Sequence, residues 1–332
     1  MRLAAAFHRL GLLFDAECLR QEALQFGEAA WRPHPGGLPG NTSLPLVSAH
    51  GGDNDDTRGP MRPTAALRRC PYIRQALASF ETVIGRTRLM RLEAGAEVPP
   101  HFDSHYYWHD RVRVHLPVVS DPEVRFVCDG HELHMAPGEA WLLDNSRSHA
   151  VVNASGVARI HLVFDTVGSA AFWELLDRAG PPEHPQPAAL GPRRIVFDPG
   201  LDARVITERC NLPAVMPATE LAALIAEALA DAAPEPGNPL HAEALPRFAA
   251  SSRRCLSDWR ATWAAHGEDP DGWAAFRVLQ QRLLAELAQL PEDLRVRSNG
   301  RRLVRVLKPF YQAALDPAIV AETSRRPAAL SP

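Results

Sequence analysis

Lysine is nearly absent from this 332-residue chain: of 36 basic residues, only Lys308 is a lysine. Schiff-base chemistry and Walker-type phosphate binding both need a placed lysine. Lys308 stands in an Arg-rich stretch with no Gly-rich loop before it, so neither is expected. Cysteine is also scarce. The five residues Cys18, Cys70, Cys128, Cys210 and Cys255 are odd in number, widely spaced and never in C-x-x-C, which argues against a disulfide framework or a structural zinc site. No stretch reaches the ~18 apolar residues of a membrane span. The opening MRLAAAFHRLGLLFD is broken by His8 and Arg9 and makes a poor signal segment, so a cytoplasmic location is expected. No long run of one charge sign occurs and the net charge is −3, so no general affinity for nucleic acid is indicated. What is present, 46% apolar and 23% charged residues, is the composition of a soluble globular protein with material for a sizeable core. The length suggests two domains.

Residues 15–29 carry helical spacing, with Asp15 placed to cap the helix. Residues 32–63 are rich in Gly, Pro, Asn and Asp and read as loop. A second helix starts at Thr64 and breaks at Pro71. From residue 86 the period becomes two. RTRLMRL, RVRVHLPVV, EVRFVC, HELHMA, GEAWLLD, HAVVN and VARIHLVFD are short, rich in Val, Leu and Ile, and bounded by turn residues, as in an antiparallel sandwich or barrel. A helix follows at 169–179. The expected organisation is a β domain over 1–180, a Pro-rich linker at 181–192 and a mostly helical domain over 193–332. Helical patterns lie at 217–232, 241–266 and 270–290, with Pro217, Pro239 and Pro270 at helix starts.

One constellation carries chemistry. His101 and Asp103 form His-x-Asp at a strand end after Pro99-Pro100, His149 follows at a distance, and Arg159 stands ten residues further on. Residues two apart in extended backbone point the same way, so His101 and Asp103 can approach one ion. Two imidazoles and a carboxylate on one octahedral face form the ligand set of non-haem Fe(II) oxygenases. Arg159 can clamp the far carboxylate of an acidic cosubstrate such as 2-oxoglutarate. Arg111, Arg113 and His115 share one face of an alternating strand, which suits a carboxylate-filled pocket. The segment from His149 to Asp165 reads as a hairpin. Only an odd-length or bulged turn between Asn153 and Gly156 returns His149 and Arg159 to one face.

Residues 86–165 resemble the catalytic core of the aspartyl/asparaginyl β-hydroxylase family, within the Fe(II)/2-oxoglutarate dioxygenases. The resemblance rests on MRLEAGAEVPPH (90–101), RVRVHL (111–116), DGHELHMAPGEAWLLDNSRSH (129–149) and ARIHLVFD (158–165). It implies a double-stranded β-helix (jelly-roll) fold, all-β with flanking helices, beside the helical C-terminal domain. It implies Fe(II) on His101 and His149, 2-oxoglutarate held through its C5 carboxylate by Arg159, and Arg113 and His115 near its C1 carboxylate. O2 is then consumed, giving succinate, CO2 and a hydroxylated product. With Asp103 present, the chain is similar to bacterial members that keep a full triad, among them hydroxylases of free proline. A Ser that assists the cosubstrate in some members aligns near Met90, with Thr87 or Arg88 as its replacement.

Arg91, Arg125, Arg147 and His105 are candidates for a substrate carboxylate. The run from His105 to His109 could form a pocket wall, and the loop 34–60, through Asn41, Ser43 and Ser48, could cover the site. The expected substrate is an Asp or Asn side chain, or a related small amino acid or peptide. Free proline is the alternative, and no nucleic acid or membrane partner is expected. A non-catalytic, cupin-like metal- or ligand-binding barrel is a third reading, but such a module would need no Arg159. The remaining histidines, among them His34 and His161, read as structural or exposed.

Overall fold

Period-two alternation over 86–165 folds as two sheets. The computed structural model describes residues 3–179 and 191–325. They divide into two units, Met1–Asp103 with Tyr107–Asn211, and Ser104–Tyr106 with Leu212–Pro332. Strands of the first unit are β1 (Phe7–Phe14), β2 (Arg32–Pro33), β3 (Asn41–Ala49), β4 (Met61–Pro63), β5 (Thr87–Leu92), β6 (Glu97–His101) and β7 (Val112–Val119). They continue with β8 (Val124–Cys128), β9 (His131–Leu133), β10 (Glu139–Leu143), β11 (His149–Asn153), β12 (Arg159–Thr166) and β13 (Arg193–Ile195). The large sheet runs β13-β1-β10-β7-β12-β5-β3-β2, with β4 also on β3, and the small sheet runs β6-β11-β8-β9.

Alternation decides which face each residue takes. On β7, Val112, Val114, Leu116 and Val118 join Leu89 of β5 and Ile160, Leu162 and Phe164 of β12 in the main apolar core. Helices α1 (Ala16–Leu24), α2 (Ala65–Arg68), α3 (Pro71–Ala78) and α4 (Ala170–Ala179) contribute Leu19, Leu67, Ile73, Leu77 and Phe172 to that core. The opposite face of the sheet shares a second apolar cluster with the small sheet: Leu92, Trp141 and Leu143 from one, Phe126, Cys128 and Val151 from the other. Between these two walls stand the inward polar residues of β7 and β12. Asp15 caps α1 as expected, its carboxylate accepting from the Glu17 and Cys18 amides at 3.0 Å each. Thr64 caps α2, and Pro71 opens α3.

Three expectations need correction. The stretch 32–63 is not all loop, because β3 lies within it, paired with β5 from Asn41↔Leu92 to Val47↔Thr87. Pro45 hides the strand in the sequence; the register shifts between Pro45 and Val47, a bulge being where a strand tolerates proline. The segment from His149 to Asp165 is not a hairpin: β11 pairs with β6 and β8, β12 with β5 and β7. The connection crosses from one sheet to the other, so turn parity does not set the relation of His149 to Arg159. The Asn153 side chain braces that crossing, its Nδ2 facing the carbonyls of Leu92, Glu93 and Val157 at 2.8–3.0 Å. Finally, the β unit continues to Asn211, since β13 pairs in parallel with β1. Residues 181–190 of the Pro-rich stretch lie outside the described residues.

The second unit is helical: α5 (Ala218–Ala230), α6 (Pro239–His266), α7 (Trp273–Leu287), α8 (Leu303–Ala313) and α9 (Pro317–Arg325). Pro239 occupies the first turn of α6 behind the Asn238 cap, a position where its missing N–H costs nothing. Leu221, Leu224, Trp259, Phe276, Leu283 and Tyr311 are buried in its core, and Tyr106 joins them. All five cysteines are free thiols. Among the described residues no helix is long and apolar enough to cross a membrane.

Candidate metal and cosubstrate site

His101 ends β6 and His149 begins β11, and the two are direct partners in the small sheet. Their rings therefore stand side by side, with centroids 4.2 Å apart. Asp103, two residues past His101, brings its carboxylate to the same point. One ligand atom from each of the three residues falls within 4.8 Å of the others. The orientation is also specified. Nδ1 of His101 lies 2.9 Å from the Pro99 carbonyl, and Nδ1 of His149 lies 3.0 Å from the Arg147 carbonyl. A carbonyl only accepts, so each Nδ1 must carry the proton, which leaves each Nε2 lone pair free to ligate. On Asp103, Oδ2 accepts from Arg113 Nη1 at 3.1 Å and from Asn145 Nδ2 at 3.0 Å. Oδ1 is turned toward the His101 Nε2, 3.9 Å away. Burial pushes the Asp103 carboxyl up, but Arg113, His149 and the Asn145 amide outweigh it and hold it below its ordinary range. The donor set is thus two imidazoles, each with Nε2 turned away from its carbonyl partner, and a carboxylate, which fits Fe(II).

The run DNSRSH makes this placement possible. Asp144, 1% exposed, accepts from the Ser146 amide and hydroxyl through Oδ1 and from Leu3 N and Arg147 Nε through Oδ2. Arg147 also donates to Asp129 at 2.6 Å. Asp129-Gly130 is the two-residue turn joining β8 to β9, with φ of 52° and 81°, as such hairpins require. Arg147 therefore ties Asp144 to the turn that precedes β9 and flanks His149. Asn145→Ala removes a partner of Asp103 without touching the ion. It is expected to weaken metal binding by about 10–100-fold, the usual worth of an outer hydrogen bond to a ligand. Mn(II) titration calorimetry checks this.

Deeper between the sheets lies Arg159, 6% exposed. Its only hydrogen bond among the described residues is to the Met90 carbonyl, at 3.4 Å, and its Nε has no partner. Burial alone pulls its pKa down to about 10, so among the described residues no carboxylate compensates this cation. Its guanidinium lies over the Phe126 ring. His115 packs edge-on to the same ring, with both of its nitrogens unpaired. Burial first, then the charges of Arg113, Arg159 and His149, hold His115 neutral. Those charges place His115 within electrostatic reach of both the ligand cluster and Arg159.

Arg113 donates through Nη1 to Asp103 and through Nε to Asp165 Oδ1 at 3.0 Å, so it braces the carboxylate of the candidate ligand Asp103. Arg111 pairs with Glu208 and with Asp110. Among the substrate candidates, Arg91 turns to Glu28 and Glu93 over Trp31, and Arg125 pairs with Glu132 at the surface. His105 falls in the short segment belonging to the helical unit.

Sequence reasoning missed a charged cluster on the first unit. Arg88 donates to Asp55 Oδ1 at 3.1 Å and Arg86 to the Asp55 carbonyl at 2.8 Å. Arg86 also lies 3.7 Å from Asp165, the partner of Arg113. Trp108 lies under both Arg86 and Arg113. Burial, then Arg86 and Arg113, lower Arg88 to about 9. Burial, then Arg88 and Arg113, lower His34 to about 4. His34, expected to be structural or exposed, thus belongs to this cluster. The signal in the sequence was the alternation Arg86-x-Arg88 on β5, overshadowed by Arg111-x-Arg113.

Residues 49–168 match the family model of aspartyl/asparaginyl beta-hydroxylase. L-proline cis-3-hydroxylase 1 of Streptomyces sp is 30% identical over 179 residues, covering 50% of this chain and 57% of that protein. The chain thus spans somewhat over half the length of this curated relative. Among solved structures, a Pseudomonas putida prolyl-4-hydroxylase is 15% identical over 49% of this chain and 92% of its own, with a TM-score of 0.34. A 2OG-Fe(II) oxygenase family oxidoreductase of Burkholderia pseudomallei is 15% identical over 47% and 81%, with a TM-score of 0.32.

Proposed function

Taking residues 49–168 as a member of the aspartyl/asparaginyl β-hydroxylase family, we propose that this chain is an Fe(II)/2-oxoglutarate-dependent hydroxylase of a small amino acid. The observation that carries the reading is the pairing of two sites. A His101/Asp103/His149 cluster has its ligating atoms free, and a buried, uncompensated Arg159 lies on the same side of the large sheet as His115. The strand order supports the double-stranded β-helix: the eight consecutive strands β5 to β12 divide between the two sheets as β10-β7-β12-β5 and β6-β11-β8-β9.

His101, Asp103 and His149 would hold the iron, Arg159 the far carboxylate of 2-oxoglutarate, and His115 its other end. Iron so held supplies O2-dependent oxidation, coupling conversion of 2-oxoglutarate to succinate and CO2 with insertion of one oxygen atom into a substrate C–H bond. The chain's own groups orient and desolvate. Asn145 and Arg113 hold Asp103 ionised, and Phe126, Trp141 and Leu143 wall the pocket against water.

For the substrate, the favoured reading is a free α-amino acid, with proline the first to test. The cluster of Arg86, Arg88 and Arg113 with Asp55 and Asp165 offers both signs, as a zwitterion needs, and a carboxylate there would relieve the mutual repulsion felt by Arg88. Trp108 offers an apolar face beside them. The relative that hydroxylates L-proline supports the same choice over a peptidyl Asp or Asn. The test is to incubate the chain with Fe(II), ascorbate and 2-oxoglutarate, alone and with free amino acids or Asp/Asn peptides, and to follow succinate and a mass gain of one oxygen. Succinate formation stimulated by a free amino acid is expected. Metal binding without succinate under any condition would instead make the chain a binding module. Arg88→Gln is expected to raise KM for the amino acid by about tenfold or more, the worth of a charged hydrogen bond, while substrate-free succinate formation persists.

A further inference from the structure

The segment 206–211 ends the β unit, and its polar groups are spent on three other segments of that unit. The Ile84 amide donates to the Ile206 carbonyl at 2.8 Å, and the Glu208 amide returns to the Ile84 carbonyl at 3.0 Å. The Glu208 carbonyl accepts from the Met61 amide at 2.7 Å. The Glu208 carboxylate is buried and accepts from Nε and Nη2 of Arg111 at 3.0 and 2.6 Å. Nη1 of the same guanidinium donates to the Tyr107 carbonyl at 3.1 Å. Asn211 grips the loop between β3 and β4. Its Oδ1 accepts from the Gly59 amide at 3.0 Å, and its Nδ2 donates to the carbonyls of Thr57 and Gly59 at 2.9 Å each. Gly59 has a φ of 104°, and a Cβ there would stand 2.8 Å from the His50 ring. The loop thus takes a course that suits glycine, and one side chain ties it down three times.

These three segments carry the walls of the arginine cluster. Ile84 leads directly into Arg86 and Arg88. The loop carries Asp55, whose carboxylate accepts from Arg88 and whose carbonyl accepts from Arg86. Tyr107 accepts from the Arg86 amide through its hydroxyl, and Trp108 lies under Arg86 and Arg113. We infer that Asn211 and Glu208 are positioning residues for the substrate: the strap 206–211 holds the arginine cluster at the spacing that grips a free amino acid. The inference rests on the substrate reading above and deepens it with residues that touch neither substrate nor metal. Three buried cations drawn together repel one another, and the charges of Arg86 and Arg113 bear on Arg88. Asp55 opposes that repulsion only while its loop stays in place, and Asn211 is what keeps it there. A binding group displaced by about 1 Å loses much of its grip on a small substrate.

The test compares the full chain as wild type, Asn211→Ala, Arg88→Gln and the double variant. Asn211→Ala removes three hydrogen bonds and no charge. With the amino acid that the wild type oxidises, it is expected to raise KM about tenfold while kcat and the affinities for Mn(II) and 2-oxoglutarate stay at wild-type values. Added to Arg88→Gln, it should raise KM by less than about twofold more, because both changes act through one cluster. Hydrogen exchange, which needs no substrate, should quicken about tenfold at Gly59 in Asn211→Ala and stay at wild-type protection in β11. Wild-type KM in Asn211→Ala overturns the inference, as does a full tenfold effect on top of Arg88→Gln. A joint loss of kcat and of Mn(II) and 2-oxoglutarate affinity also overturns it, since that marks a merely structural part. Unchanged exchange at Gly59 overturns the strap whatever the substrate is. A wild type that oxidises no free amino acid overturns the substrate reading and the inference with it. The exchange result then still reports on the strap, so the two failures are distinguishable.

Discussion

His149→Ala is expected to reduce succinate formation to background and to weaken Fe(II) or Mn(II) binding by more than the ~10–100-fold that an outer-shell partner is worth. The reason lies in how little redundancy the site has. Only His101, Asp103 and His149 form a group of three metal-competent side chains among the described residues. With one imidazole gone, two ligands remain, and His101 is the more exposed of the imidazoles, 41% of its side chain being accessible. Asp103→Ala should act likewise and additionally release Arg113 and Asn145, whose hydrogen bonds converge on its Oδ2. A buried guanidinium stripped of one carboxylate costs stability, so Asp103→Ala should also melt earlier. His149→Ala, which removes a ring packed beside His101 and, among the described residues, no ion pair, should melt near wild type. Calorimetric metal titration and thermal melts of the three proteins check this. A His149→Ala protein that still bound metal with wild-type affinity would remove the triad as the metal site.

The parts of this site that were legible in the sequence are those set by short-range geometry. His101 and Asp103 are two residues apart at a strand end, and period-two spacing puts them on one side. Val112 to Val118 alternate with Arg113 and His115, so the inner and outer faces of β7 could be read directly, and the structure keeps them. What could not be read is which strands lie in which sheet. A hairpin from His149 to Asp165 satisfies every local rule, yet the chain crosses between sheets at Ala154–Ala158, because pairing partners are chosen by tertiary packing. The same blindness hid β3. Pro45 and the Gly-rich flanks make 32–63 look like loop, while the strand inside it is stabilised by β5, some forty residues further on. The partners of the candidate arginines could not be read for another reason: an arginine's spacing says which face it takes, not which carboxylate reaches it first. Arg91, Arg125 and Arg147 each found an acid of their own.

Arg159→Leu is expected to weaken 2-oxoglutarate by about a hundredfold or more while making the ligand-free protein more stable. Truncating one partner of a buried, hydrogen-bonded charge pair costs about 2–5 kcal/mol, and each 1.4 kcal/mol is tenfold in affinity. The sign of the stability effect follows from the same burial. Among the described residues Arg159 has no carboxylate partner, and burial alone lowers its pKa. The folded protein therefore carries the desolvation cost of a cation that only the cosubstrate offsets. Leucine, packed against Phe126 and Leu92, removes that cost. Arg159→Lys keeps the charge but not the fork that grips a carboxylate at two points, so its affinity should fall between the two. Thermal melts with and without 2-oxoglutarate, alongside calorimetric titration, separate the outcomes. If Arg159 were instead a structural cation, Arg159→Leu would melt earlier than wild type and retain its 2-oxoglutarate affinity. The pocket between the sheets would then have to be assigned to something other than an acidic cosubstrate.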